Sequence, residues 1–270
     1  MIDDFTNYSL KPTSQMGKLN SKIALVTGAA SGIGRDVCYR FLEEDAVVIA
    51  VDIKSSALDA LKNEAPKKGL RLHVIQCDIT KERELETLIS QAIKEHGHID
   101  ILVNNAGVMD NFEAVANVTN SQWDRIMNVN LRGPFMLMRL LIPHFLHHKH
   151  GNIINISSIG GIQGARAGAA YTASKFALNG LTKNTGYLYA EQGIRCNAVA
   201  PGAIETHISD SIDYSRVSKD MNELLIAGLQ LNPRIGKPKE IAEIVLFLAS
   251  EESSMINGEV LVADAAWSAY

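Results

Sequence analysis

KIALVTGAASGIGRDVCYRFLEE, residues 22–44, decides the fold class. Residues 22–27 are a short apolar run, and a glycine-rich turn follows at 28–34. The spacing then changes: Ile33, Val37 and Phe41, with Leu42 beside them, recur as they would on one helix face. Glycines between a strand and a helix let the backbone approach a pyrophosphate, and the helix start supplies N–H donors and the positive dipole end. A purely structural tight turn also uses glycines; the position after a strand and before a helix favours the phosphate site. Asp52 stands 18 residues beyond Gly34, directly after the apolar run VVIAV at 47–51. A carboxylate there accepts hydrogen bonds from ribose hydroxyls and repels a 2′-phosphate, although a helix-capping or turn aspartate would look the same. Ser31 occupies a place where a basic residue would have helped NADP. Together these features favour NAD over NADP.

The same alternation continues outward. Apolar runs at 47–51, 72–76, 99–103, 152–156, 195–199 and 259–262 read as further strands. Helical spacing fills 55–68, 81–96, 120–147, 170–191 and 240–250, with a break expected near Gly133-Pro134. Continuous apolar strands separated by helices predict a doubly wound parallel sheet covered on both faces. Without a repeat, linker or low-complexity tract, residues 21–270 read as one domain. Residues 1–20 lack periodicity and read as a flexible N-terminal extension.

Composition narrows the function. The chain has 270 residues, 46% apolar and 21% charged, which excludes wholesale disorder. Against 26 Lys and Arg stand 30 Asp and Glu, a net charge of −4 that argues against a general nucleic-acid partner. No run approaches the ~18 apolar residues of a membrane span. Cys38, Cys77 and Cys196 are odd in number and far apart, so neither a disulfide framework nor a cysteine zinc site is expected, and a reduced cytoplasmic setting is the simplest reading. His144, His147, His148 and His150 gather at a helix end; without an acidic partner at ligand spacing they read as solvated, and no metal is expected.

The second half carries the chemistry. Tyr171 and Lys175 are four apart in a helical stretch, so they share one face. An ammonium beside a phenol stabilises the phenolate and is expected to lower the tyrosine from its usual pKa of about 10. That would make a general base for an alcohol proton. Taken alone, such a pair is common helix-surface chemistry. Ser158 ends a buried strand 13 residues earlier, where a hydroxyl can point into a cleft. Asn130 lies inside a helix, an unfavourable place for asparagine that suggests a buried polar role.

With these residues in order, the sequence resembles the short-chain dehydrogenase/reductase family, from about Leu19 to the C-terminus. The resemblance rests on TGAASGIG at 27–34, Asp52, Asp78-Ile79, Asn104-Asn105-Ala106-Gly107, Asn130, Ser158, Tyr171 with Lys175, and Pro201-Gly202 followed by Thr206. It implies a seven-stranded Rossmann-type parallel sheet in the order 3-2-1-4-5-6-7. It implies that Tyr171 is the catalytic base or acid and that Lys175 binds the nicotinamide ribose. Ser158 would hold the substrate oxygen, and Asn130 a water in a proton relay to Lys175. For NAD it implies contacts from Gly28, Ser31, Gly32, Ile33, Gly34 and Asp52. Asp78 and Ile79 would meet the adenine, Asn105, Ala106 and Gly107 the adenosine ribose side. Pro201, Gly202, Ile204 and Thr206 would flank the nicotinamide. A homotetramer built on the long helices 120–147 and 170–191 is implied too. The family often ends in Val-Asp-Gly-Gly; here Ala263-Asp264-Ala265-Ala266-Trp267 departs from it, near an expected subunit interface. Trp267 reads as a packing residue.

Residues 207–230 would form a mobile substrate lid, with 109–113 and 159–166 completing the rim. The leading expectation is an NAD-dependent oxidoreductase interconverting a secondary alcohol and a ketone. A carbonyl or 3-oxoacyl reductase and a non-catalytic NAD-sensing protein are the alternatives. A polyol, sugar, hydroxysteroid or small hydroxyketone suits the sequence equally.

Overall fold

The computed structural model describes residues 16–65, 71–217 and 219–269. Its strands are β1 (Ile23–Thr27), β2 (Val47–Asp52), β3 (Leu72–Gln76), β4 (Ile101–Asn104), β5 (Gly151–Ile156), β6 (Ile194–Pro201) and β7 (Val260–Ala263). The helices are α1 (Gly32–Glu43), α2 (Ser55–Glu64), α3 (Glu82–His96), α4 (Asn120–Met127), α5 (Gly133–His148), α6 (Ala169–Leu188), α7 (Lys219–Gln230) and α8 (Pro238–Ala249). All strand pairs are parallel, in the order β3-β2-β1-β4-β5-β6-β7, which is the order expected. Parallel pairing aligns the C-terminal strand ends along one edge, so the loops after Thr27, Asp52, Gln76, Asn104, Ile156 and Pro201 open on the same side.

The period of two along each strand divides the core into two layers. Ala24, Val26, Val48 and Ala50 face α1 and α8, meeting Val37, Phe41, Ile241 and Val245. Leu25, Ile49, Val51 and Leu102 face α3 and α5, meeting Leu85, Leu88, Leu137 and Phe145. Burying each such Leu, Ile or Phe contributes roughly 1.5–3 kcal/mol.

Three sequence expectations change. The body begins before residue 21: Leu19 is 1% exposed in the core, its N–H bonds the Glu44 carbonyl, and the Gly17 N–H donates to Asp45 Oδ2 at 3.0 Å. The rest of the proposed flexible extension, residues 1–15, lies outside the described residues. The helix expected over 55–68 ends at Glu64, and 66–70 lie outside the described residues. The break expected near Gly133-Pro134 is absent. The chain stays helical from Asn120 to His148, with one widened π-turn over Asn128–Arg132. Pro134 closely follows the π-turn, and the widened turn gives its ring room inside the continuous helix. The proline leaves the Asn130 carbonyl without the donor that an i+4 residue would supply.

Candidate active site

A cavity of about 930 Å³ runs along the C-terminal strand ends. At one end lies the turn between β1 and α1. Gly28 has φ +60°, and a methyl group there would come within 2.8 Å of the Ala106 Cα. One at Gly34 would come within 2.2 Å of the Gly28 carbonyl oxygen, so Gly34 closes helix onto turn. Gly28, Ser31, Gly32 and Ile33 line the cavity, whereas Gly34 stands behind its wall. Ser31 precedes α1 without a side-chain cap bond, leaving the helix-start N–H groups for an anion.

Asp52 and Asp78, with Ile79, also line the cavity. Each carboxylate steadies its own turn. Asp52 accepts from the Ala30 N–H at 3.1 Å and the Lys54 N–H at 3.0 Å. Asp78 accepts from the Thr80 N–H at 2.9 Å and the Thr80 hydroxyl at 2.7 Å. In the middle, Asn105 Nδ2 donates to the Thr27 and Gly28 carbonyls, and Thr27 Oγ1 accepts from the N–H groups of Asn105 and Ala106. These bonds fasten Asn105, Ala106 and Gly107 to the first turn.

The far end gathers the chemistry. β5 delivers Ser158 and α6 delivers Tyr171 and Lys175; all three line the cavity. Ser158 Oγ accepts from the Gly160 N–H at 3.0 Å, which leaves its proton to be donated elsewhere. Lys175 Nζ donates to the Ile156 carbonyl at 2.8 Å and stands 5.6 Å from the Tyr171 ring centroid. Pro201, Gly202, Ile204 and Thr206 form the facing wall.

The expected tyrosine shift is reversed. Burial pushes the Tyr171 phenol up to about 12, the Asp110 charge adds to the rise, and the Ser158 hydroxyl offsets part of it. Burial also lowers the Lys175 ammonium to about 8. The spacing shows that the two share a face; it does not show that both are desolvated, which opposes charge on each.

Asn130 is fully buried in the π-turn and its amide is committed. Oδ1 accepts from the Val108 N–H at 2.8 Å, while Nδ2 donates to the Val108 carbonyl at 2.9 Å and Ser174 Oγ at 3.3 Å. Its side chain therefore clamps the loop after β4 rather than lining the cavity.

Within the rim expected at 109–113 and 159–166 and the lid expected at 207–230, the structure shows contacts that the sequence does not assign. Asp110 is 1% exposed and sits under α6. It accepts from Gly168 N–H at 3.1 Å and Phe112 N–H at 3.1 Å through Oδ1, and from Tyr171 N–H at 2.9 Å through Oδ2. Glu113, also buried, accepts from Arg216 Nε and Nη2 at 2.8 and 2.6 Å, clasping residues 207–217 to the loop after β4. The lid expected at 207–230 consists of 3-10 turns at His207–Ser211 and Tyr214–Arg216 followed by α7; Ser218 lies outside the described residues. Trp267, expected to pack or to join an interface, lies in the cavity wall of its own chain. Its indole N–H donates to the Gly228 carbonyl at 3.0 Å, and the Arg166 guanidinium stacks on its ring at 4.5 Å. The sequence places these stretches at the rim and Trp267 in packing, without the partners that fix them.

Histidines gather away from the cavity. The His144 and His148 rings lie 4.4 Å apart, and burial with the neighbouring imidazoles holds His144 below its usual pKa. His73, Glu95 and His96 bring ligand atoms within 4.8 Å of one another across β3 and the end of α3, a grouping the sequence reading did not single out. No helix among the described residues is long and apolar enough to cross a membrane.

The family model described as short chain dehydrogenase matches residues 22–216. The 3beta-hydroxysteroid dehydrogenase 2 of Eggerthella lenta is 40% identical over 253 residues, 93% of this chain and 96% of that protein. Levodione reductase superposes with a TM-score of 0.85 at 30% identity, covering 93% of this chain and 100% of that one. The 3-ketoacyl-(acyl-carrier-protein) reductase of Brucella melitensis, solved with NADH, superposes with a TM-score of 0.82 at 31% identity, covering 93% and 99%.

Proposed function

The chain belongs to the short-chain dehydrogenase family, and from that premise we propose that it interconverts a secondary alcohol and a ketone with NAD, Tyr171 moving the proton. One observation carries this reading. A single cavity joins the glycine turn and Asp52 at one end to Ser158, Tyr171 and Lys175 at the other. The residues present fit a dinucleotide: Gly28 admits close backbone approach, and the start of α1 offers N–H donors. Asp52 would take the adenosine ribose hydroxyls and repel a 2′-phosphate. Thr206 and Ile204 would flank the nicotinamide, and Lys175 its ribose.

When bound, the cofactor supplies the hydride acceptor or donor. The chain's own residues handle the proton and the oxygen. Ser158 donates to the substrate oxygen as negative charge grows there. Tyr171 takes the hydroxyl proton in oxidation and returns it in reduction. Lys175, held against the Ile156 carbonyl, favours the phenolate while it is protonated, a state that burial confines to lower pH than in a free lysine. The committed amide of Asn130 leaves its main-chain carbonyl as the group to hold a relay water.

The reductive direction, as in a 3-oxoacyl reductase, uses the same residues. A non-catalytic sensor would need neither Ser158 nor Tyr171 at the end of the cavity. We place the protein in the cytoplasm, where its three free, buried cysteines stay reduced. We assign it a homotetramer through the outer faces of α5 and α6, which expose Phe135, Phe176 and Tyr187.

The test is formation of reduced cofactor at alkaline pH over a panel of secondary alcohols, with NAD and NADP in parallel. Wild type is expected to prefer NAD. Tyr171→Phe is expected to lose about 10²–10⁴-fold in kcat/KM. Full activity in that variant would overturn the proton assignment.

A further inference from the structure

Beyond Ser158 and Tyr171 the cavity continues beneath residues 207–217 and the later part of α7. Its walls there are Met109 and Phe112 from the loop after β4, Ile159 after β5, Ile226 and Leu229 from α7, and Trp267 behind them. Ile226 and Leu229 are three apart, so they share one helix face. They are 47% and 53% exposed although they line a cavity, which marks an apolar surface without protein cover.

Apart from the exposed Ser209 and Tyr214 at the rim, the polar side chains of this end are engaged with the protein. Ser211 Oγ donates to the Ile208 carbonyl at 2.7 Å and accepts from the Met109 N–H at 2.8 Å. The Trp267 N–H is held by the Gly228 carbonyl, and Arg166 Nε donates to Gln163 Oε1 at 2.8 Å. His207 and Asp210 pair with each other at the exposed rim, 3.4 Å apart. A sugar or polyol would carry a hydroxyl on nearly every carbon into this end and leave several unmatched, each at a cost in binding. A flexible acyl chain would lose rotational freedom on entering. A rigid carbon skeleton with one reacting oxygen has neither cost, and it covers the exposed apolar face of α7.

We propose that the substrate is an alcohol or ketone on a fused alicyclic skeleton of two or more rings, its reacting oxygen at Ser158 and Tyr171, one face on Ile226 and Leu229 and its far edge on Trp267. This rests on the dehydrogenase reading above and names the substrate class of that site.

The experiment compares kcat/KM with NAD for cyclohexanol, decahydro-2-naphthol, a four-ring hydroxysteroid, sorbitol and a 3-hydroxybutyryl thioester. The expected result is a rise of at least about tenfold from one ring to two, continuing to four, with sorbitol and the thioester below cyclohexanol. Trp267→Ala is expected to cut the four-ring to one-ring ratio at least about tenfold. Leu229→Gln, on an exposed helix face that tolerates the change, gives the same direction if Trp267→Ala folds poorly. Sorbitol or the thioester outrunning the fused rings overturns the substrate class and leaves the dehydrogenase standing. An unchanged ratio in both variants overturns the placement against α7 and Trp267. No reduced cofactor from any probe, while NAD still quenches tryptophan fluorescence, overturns the dehydrogenase reading and this inference with it.

Discussion

Asp110 is a carboxylate that the fold uses as a three-way acceptor at the start of α6. Negative charge at a helix N-terminus is favourable, yet burial still pushes its own pKa up. Its charge bears directly on the phenol it supports. Oxidation of an alcohol needs the phenolate, so a raised Tyr171 pKa moves the rising limb of the pH profile to higher pH. Asp110→Asn removes the charge and must move that limb of kcat/KM to lower pH; a limb that stays put would separate the two residues. The amide has one acceptor oxygen for three N–H groups, so the variant should also lose about 1–3 kcal/mol in urea unfolding. Residues of this kind mark where sequence reading stops. Tyr171, Lys175, Ser158 and Asp52 were legible because their residue type, spacing and place after a strand tie them to a chemistry. Asp110 falls within the rim expected at 109–113, but its burial depends on α6, which lies some sixty residues further along the chain. The direction of the tyrosine shift was illegible for the same reason, since desolvation belongs to the assembled cavity.

At the scale of elements, the clasp between Arg216 and Glu113 fixes the first part of the lid. Arg216 is partly exposed and Glu113 is not, so removing the arginine leaves a buried carboxylate uncompensated. Arg216→Ala is therefore expected to raise KM for the alcohol several-fold in steady-state kinetics, with the KM for NAD changing less. The turn before β1 makes a second case. Leu19→Ala should cost about 2–5 kcal/mol, read from the urea midpoint, because the side chain is a core member and its loss leaves a cavity. A variant as stable as wild type would return residues 16–20 to the flexible extension. Strand and helix cores are legible from period; most ends shift by one or two residues, while α2 stops four short of 68 and α6 three short of 191, as terminal hydrogen bonds decide them. The stretch from Asn120 to His148 was misread at one point. Glycine followed by proline predicts a break, but the π-turn just before Pro134 accommodates it without ending the helix.

For the whole molecule, the outer faces of α5 and α6 leave Phe135, Phe176, Tyr187 and Leu188 exposed. Light scattering should give a mass near four chains, and Phe176→Glu should lower it; a monomer in wild type would refute the assembly. The layer plan, a parallel sheet under helices on both sides, was legible from alternating periods, while the strand order came through family resemblance alone. Periodicity says what each segment is and nothing about which edge it joins. That order has a further meaning for how the molecule comes into being. β2 joins one side of β1 and β3 joins β2; every strand from β4 onward adds to the other side of β1, each beside the one before. No strand has to be inserted between two that are already placed. A chain leaving the ribosome N-terminus first can therefore lay down the half that bears the glycine turn, then extend one growing edge strand by strand to β7. Long-range parallel pairing is slow to form and prone to error, and this order of addition spares the nascent chain its worst step, the reopening of a sheet already closed.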